Sequence, residues 1–279
     1  MSGQRPQDLV FTLFGEYLLE RSDSVWVGSL IALLEPFGLS EGGVRTVLSR
    51  MAKKGWLSSE RRGRSSFYAL TDRGRTLLQQ GQARIYHPAW NAEWDGQWFL
   101  LAYSIPQTAR NVRDRLRDRL AWLGFGSIGN GLWISPRNVE ADVRELAEQM
   151  ELSSHLICFR SRPAHPVTDE ELVHRCWDLS ALNHRYHEFA ERWAARTRPV
   201  LPKPTSDDTE ANARAFVLRF ELIHEFRRFP LQDPFLPRPL LPDPWFGDRA
   251  SAVFRELHDQ LVGPADLWVS DVLERAAQR

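Results

Sequence analysis

The sequence predicts an α+β chain in three parts: an N-terminal winged helix-turn-helix, a central ferredoxin-like domain and a mostly helical C-terminal domain. Three observations predict it. The first third reads helix, helix, helix, hairpin, helix. The middle reads strand, helix, strand, strand, helix, strand, which is the ferredoxin-like order. The last third has long helical periodicity interrupted by proline. Breaks at His87-Pro88 and across Ser161–Pro166 divide the chain into residues 1–88, 89–165 and 166–279.

In the first third, Asp8–Glu20 sets Leu9, Leu13, Phe14, Tyr17 and Leu18 on one helical face. Ser24 is positioned to cap a second helix carrying Leu30, Ile31, Leu33 and Leu34, and Pro36–Leu39 breaks it. Ser40 is a good N-cap for a third helix, Glu41–Lys54, and Gly55 follows where a helix end favours glycine. Val44, Val47, Leu48 and Met51 share its inward face. Arg45, Thr46, Ser49, Arg50 and Lys53 share the outward one. Trp56–Glu60, Arg61-Arg-Gly-Arg64 and Ser65–Leu70 read as strand, basic glycine turn and strand, and Thr71 caps a further helix.

The middle opens with a buried strand, Gln97–Ile105, ended by Pro106. Thr108 is placed to cap a helix to Leu123 with the stripe Val112, Leu116, Leu120 and Leu123. Phe125–Ile128 and Leu132–Ser135 flank Gly129-Asn-Gly131, a hairpin signal. Asn138 caps a helix to Met150, and Leu156–Phe159 is a last strand. Beyond it, Glu170–Arg196 reads as one long helix and Thr209–Phe229 as another. Pro199–Pro204 with Ser206–Asp208 is a loop, and Pro230–Pro244 is too proline-rich for helix or inner strand. Arg249–Val262 and Pro264–Ala277 read as two more helices.

Lysine plus arginine and aspartate plus glutamate both number 36, so the net charge is zero. The balance hides an asymmetry. Residues 41–75 hold nine basic and three acidic residues, a net +6, whereas residues 205–279 hold nine and thirteen, a net −4. A basic segment joined to an acidic one suggests a polyanion-binding module attached to another function. The DNA-facing set is then Ser40, Gly43, Arg45, Thr46, Ser49, Arg50, Lys53 and Lys54 on the third helix, with Arg61, Arg62 and Arg64 at the hairpin tip. Arginine can bond guanine in a fork, serine and threonine can reach bases or phosphates, and tip cations suit phosphates.

Other classes find little support. The longest apolar run, Trp98–Tyr103, is far short of the ~20 residues of a membrane span. Leu9–Phe14 is too short for a signal-peptide core, and a cytoplasmic protein is expected. Cys158 and Cys176 form neither a disulfide framework nor a zinc motif. His184 and His187 make a poor metal site on their own, and His224-Glu225 has no nucleophile pattern nearby. Nucleophile-elbow, phosphate-loop and His-Glu-x-x-His patterns are absent.

The middle region resembles the small ferredoxin-fold nuclease subunit of CRISPR adaptation complexes. That family has a metal-binding acid near the end of its first strand. Here Tyr103-Ser-Ile-Pro106 places Ser104 there, and a hydroxyl lacks the charge a divalent cation needs. With that charge missing at Ser104, a scaffold and dimerisation domain is the expected role. A metal-dependent nuclease, with Asp114 or Asp118 compensating, is the enzymatic alternative, and a winged-helix adaptor for proteins is a third reading.

Across nearly its whole length the chain resembles the PaaX-type phenylacetate-degradation repressors. The likeness is carried by Gly43–Met51, the wing from Lys54 to Leu70, and Trp98–Pro136 with Gly131-Leu-Trp-Ile-Ser-Pro136. It continues in Leu222-Ile-His-Glu-Phe-Arg-Arg-Phe229, Asp233-Pro234, Leu236-Pro237, Leu240-Leu-Pro242 and Trp245. The resemblance implies a non-enzymatic homodimeric repressor without a cofactor. It implies binding to palindromic double-stranded operators near aromatic-catabolism genes and release by an aryl-CoA thioester such as phenylacetyl-CoA. Such an effector needs cations for its phosphates. Arg185, Arg192, Arg227 and Arg228 are the candidates, the last two inside the signature. Ion pairs with Glu188, Glu221 or Glu225 are the alternative role for these arginines.

Overall fold

The computed structural model describes residues 5–20, 24–86, 93–164, 167–197 and 208–277. The chain folds as two compact units that do not follow chain order. One takes residues 1–87, 189–228 and 250–279, and the other 88–188 and 229–249. The expected joins at His87-Pro88 and Pro199–Pro204 lie outside the described residues.

The first unit begins with α1 (Pro6–Leu13), which passes into a π-helical turn at Phe14–Leu18 instead of running on as α-helix. Ser24 does not cap the next helix. Val25–Trp26 first forms a short strand, β1, and α2 (Val27–Leu34) starts behind it with Trp26 at the N-cap. The physical reason is pairing: Val25 and Trp26 lie opposite Tyr68 and Phe67. A 3-10 turn follows at Glu35–Phe37 and ends at Gly38, whose φ of 80° suits glycine.

Next come α3 (Glu41–Lys53), the hairpin β2 (Leu57–Arg62) and β3 (Ser65–Leu70), and α4 (Asp72–Tyr86). The three strands form an antiparallel sheet in the order β1-β3-β2. Thr71 Oγ1 accepts from Gly74 N at 3.1 Å and opens α4. Gly74 must be small, because a Cβ there would lie 2.2 Å from the Trp56 carbonyl oxygen.

The same unit holds α9 (Thr209–Phe226) and most of α10 (Gly247–Ala277). Two helices were expected between 249 and 277, but α10 is continuous with Pro264 inside it. Leu261, Ala265 and Val269 continue one buried stripe through the proline, and that burial outweighs the one missing backbone donor. Phe216 and Phe220 of α9, with Ala265 and Val269 of α10, join Leu9, Leu13, Leu30, Val44 and Leu48 in a single core.

The second unit contains β4 (Trp98–Tyr103), α5 (Arg110–Trp122), β5 (Gly126–Gly129), β6 (Leu132–Ser135), α6 (Glu140–Gln149) and β7 (Leu156–Ser161). The strands form one antiparallel sheet in the order β5-β6-β4-β7. Phe99 and Leu101 of β4 and Trp133 of β6 pack against Leu116 and Leu120 of α5 and Val143 and Leu146 of α6. Thr108 sits in a 3-10 turn at Gln107–Ala109 and does not cap α5. The β5–β6 turn takes φ of 52° at Asn130 and 81° at Gly131, as its Asn-Gly sequence suits.

The single helix expected over Glu170–Arg196 is two, α7 (Asp169–Cys176) and α8 (Leu179–Thr197). Trp177 between them is extended, at φ −140° and ψ 138°. Its ring stacks on Trp98 at 6.1 Å, and Asp178 Oδ1 accepts from Ala181 N at 3.0 Å to start the second helix. Asp233 pins the proline-rich turn. It is buried, accepting from Tyr186 Oη at 2.8 Å and from the Phe235 amide at 2.7 Å. Among the described residues no helix is long and apolar enough to cross a membrane.

Candidate nucleic-acid interface

The site is built on α3. Ser40 Oγ accepts from Gly43 N at 3.2 Å, so Ser40 and Gly43 hold the start of the helix. Val44, Val47, Leu48 and Met51 are buried, which turns Arg45, Thr46, Ser49, Arg50 and Lys53 outward and leaves them exposed. Gly55, at φ 73°, then turns the chain into the hairpin.

The outward cations are not equivalent. Arg45 donates to Glu41 Oε1 through Nε at 3.0 Å and Nη2 at 2.9 Å. Thr46 Oγ1 donates back to the Gly42 carbonyl at 2.8 Å, and Lys54 Nζ to Gln7 Oε1 at 3.3 Å. Arg50 and Lys53 make no ion pair among the described residues.

At the hairpin, Arg61, Arg62 and Arg64 are all exposed around Gly63. Arg62 is held in place: it pairs with Glu60 at 2.7 Å, donates to Ser24 Oγ at 3.0 Å and lies 4.6 Å over the Phe67 ring. That arginine draws the Glu60 carboxyl below its usual range by hydrogen bonding. Arg61 Nε donates to the Gly63 carbonyl at 3.3 Å, and Arg64 makes no ion pair among the described residues. Beneath, Arg73 stacks 4.2 Å over Trp56 and fixes the base of the hairpin. The result is an exposed helix face and loop tip with Arg50, Lys53, Arg61 and Arg64 unopposed by acids among the described residues, a surface suited to a polyanion.

A family model described as "PaaX-like protein" matches residues 5–74, which hold this face. "PaaX protein central Cas2-like domain" matches residues 91–173, and "PaaX-like protein C-terminal domain" residues 177–271. The chain is 35% identical over 268 residues to "Transcriptional repressor PaaX" of Escherichia coli (strain K12), covering 94% of this chain and 82% of that protein. The chain belongs to the PaaX family. Among solved structures, "Uncharacterized protein Rv0674 from Mycobacterium tuberculosis" matches at 24% identity with a TM-score of 0.57, over 92% of this chain and 95% of that one. That likeness speaks for the fold alone.

For this PaaX-family chain the four effector arginines fall in separate settings. Arg185 lies in the second unit and donates to Gln232 Oε1 at 2.7 Å. Arg192, Arg227 and Arg228 lie in the first. Arg192 pairs with Glu225, and Arg196 with Glu221 at 2.5 Å, as the ion-pair alternative has it for this region. Arg227 is largely buried 3.8 Å from Asp8, and Arg228 is exposed. His184 faces Glu188 at 3.3 Å, and the His187 ring meets the Phe246 ring edge-on at 4.4 Å. Ser104 is exposed just past β4. Among the described residues no group of three or more His, Cys, Asp or Glu could hold a metal.

A buried polar network in the first unit escaped the sequence reading. Glu16, in the π-helical turn, and Arg219, on α9, are 6% and 5% exposed and 3.6 Å apart. Tyr86 Oη donates to Glu16 at 2.7 Å, and Arg219 Nη2 donates to His258 Nε2 at 2.9 Å. The Arg219 guanidinium lies 4.7 Å over the Tyr17 ring. Burial raises the Glu16 carboxyl above its usual range, against the pull of Tyr86 and Arg219. Burial, then the Arg219 charge, lowers His258.

Nearby, Thr12 Oγ1 donates to the Asp8 carbonyl and lies 2.8 Å from His224 Nδ1, so Nδ1 carries the ring proton. Burial, followed by the charges of Arg227 and Arg228, pushes His224 down to about 3. His224 is therefore a neutral structural residue. No sequence signal marked Glu16, Tyr86, Arg219 or His258, because each sits singly in a helical pattern, and His224 was noted only beside Glu225.

Proposed function

We propose that the chain is a DNA-binding transcriptional repressor with a small-molecule sensor. Residues 1–88 are read as a winged helix-turn-helix, 89–165 as a ferredoxin-like scaffold and dimerisation domain, and 166–279 as a sensing domain. The observation that carries the proposal is the outward face of α3, with Ser49, Arg50 and Lys53 exposed and unburdened by acids beside a basic hairpin tip. Membership of the PaaX family supports it, as does the likeness to a protein named a transcriptional repressor. The strand order β5-β6-β4-β7 supports the ferredoxin-like reading of the centre.

In this reading α3 enters the major groove, Arg50 reads bases, and Lys53, Lys54, Arg61 and Arg64 meet phosphates. Two copies present their α3 helices about one DNA turn, roughly 34 Å, apart on a palindromic operator near aromatic-catabolism genes. An aryl-CoA thioester releases the pair by preferring a state with another separation. Arg185 and the exposed Arg228 are the arginines open to its phosphates, since Arg192 and Arg227 already face acids.

Footprinting of the DNA upstream of its own gene and neighbouring genes, with and without phenylacetyl-CoA, tests the reading. A protected palindrome that disappears with the thioester is the expected result. Protection that ignores the thioester removes the effector assignment, and no protection anywhere overturns the repressor. Loss of both Arg45 and Arg50 side chains without loss of affinity would overturn the placement of α3.

A further inference from the structure

The second unit contains a half-open cavity of about 550 Å³, within the usual size range of small-molecule sites. Its floor is apolar and buried, made by Val173 of α7, Leu179 of α8 and Leu240. Trp94 forms a wall, its indole held by a 3.0 Å hydrogen bond to the Gln97 carbonyl and edge-on against Trp98. Asp169, Glu170 and Asp243 supply carboxylates. No lysine or arginine lines the cavity among the described residues, and its one imidazole, His174, faces Glu170 at 3.8 Å.

Two helices start at this cavity, and a helix start ordinarily favours an anion. Here both are already satisfied from within. The Glu171 amide donates to Thr168 Oγ1 at 3.2 Å, while Glu171 Oε2 accepts from the Thr168 amide at 3.0 Å. At α8 the Ala181 amide donates to Asp178 Oδ1 at 3.0 Å. The first turn of α7 carries three acids, which oppose any further negative charge. Asp169 is fixed by the Trp98 indole N–H, which donates to its Oδ1 at 2.7 Å.

An apolar floor, an indole wall and three carboxylates opposed by no lysine or arginine and by the single imidazole of His174 select one ligand chemistry. We infer that this cavity binds a small organic cation with an aromatic or aliphatic body, the body on Leu240, Val173 and Trp94 and the ammonium toward Glu170 and Asp243. The same charge pattern rejects carboxylates and phosphates. The site is therefore distinct from any site for an acyl-CoA tail, and its test does not depend on DNA binding.

Calorimetric titration of the full chain with 2-phenylethylammonium and with phenylacetate, which share a ring and chain length but differ in charge sign, decides the matter. One-site binding of the amine is expected, with phenylacetate at least about tenfold weaker. Glu170→Gln with Asp243→Asn, both exposed, should weaken the amine about tenfold, the combined effect of two part-exposed charge contacts. Ser180→Phe, at another exposed position lining the cavity, should abolish binding by filling it. Equal affinity for amine and acid, no heat with millimolar amine, or unchanged binding in either variant overturns the inference.

Discussion

The distribution of free cations around α3 and its hairpin predicts how binding responds to salt. Of the cations assigned to phosphates, Lys53, Lys54, Arg61 and Arg64 face no acid among the described residues, whereas Arg62 is already neutralised by Glu60. Each phosphate neutralised contributes about −0.9 to the slope of log affinity against log salt. Four contacts per head give a slope near −3.6, so affinity per head falls about 50-fold between 50 and 150 mM salt. Replacing Arg61 and Arg64 by alanine leaves two contacts and a slope near −1.8, and the same salt step then costs about sevenfold. Fluorescence anisotropy with a labelled duplex across a salt series reads both slopes, and specific sequence is not required. Glu60→Gln works in the opposite direction, freeing Arg62 and steepening the slope by up to about 0.9. A slope that stays the same in the Arg61 and Arg64 double variant would refute the assignment of the hairpin tip to phosphates.

Three further outcomes follow from the packing. Arg219→Met leaves Glu16 buried without its cation and should cost about 3–5 kcal/mol, most of it recovered in combination with Glu16→Gln, as read by urea unfolding. His224 stays neutral in the folded chain down to about pH 3, but gains a proton below about pH 6.5 when unfolded, so its contribution is full above 6.5 and lost as pH falls. The loss between pH 7.5 and 5 should be about 2 kcal/mol, and His224→Gln should flatten urea midpoints over that range. Gly126→Ala would set a Cβ 2.5 Å from that of Cys176 and 2.7 Å from the Trp177 ring; a thermal melting temperature lowered by several degrees is expected, and an unchanged one would show that α7 yields freely.

Much of the exposed basic face of α3 and its hairpin was legible in the sequence because its determinants are local. Ser40 and Gly55 punctuate α3, and four apolar residues at helical spacing decide which residues face out. The hairpin announced itself through a glycine between two strand-like runs. What the sequence concealed depends on distant partners. The break at Trp177 lies inside an uninterrupted apolar pattern, and its ring stacks on Trp98, a distant partner, while Asp178 caps the helix that follows. The converse holds at Pro264, where a strong local helix-breaker yields to a buried stripe. Glu16 and Arg219 carry no mark in the sequence, since nothing in either neighbourhood reveals the other. The cavity beside α7 was hidden for the same reason, being assembled from Trp94, the start of α7 and the proline-rich turn.

The core that seats α3 has an ordering in time as well as in space. Leu9, Leu13 and Leu48 are made early in synthesis, while their partners Phe216, Phe220, Ala265 and Val269 are made near its end. A nascent chain that has emerged only as far as the hairpin carries most of this core but lacks Phe216, Phe220, Ala265 and Val269, which complete it. Those residues follow only after residues 88–188 of the second unit have been translated, so the core behind α3 is completed late. A chain cut short before α10 would lack Ala265 and Val269, and the core that seats α3 would be left incomplete at its last-made edge.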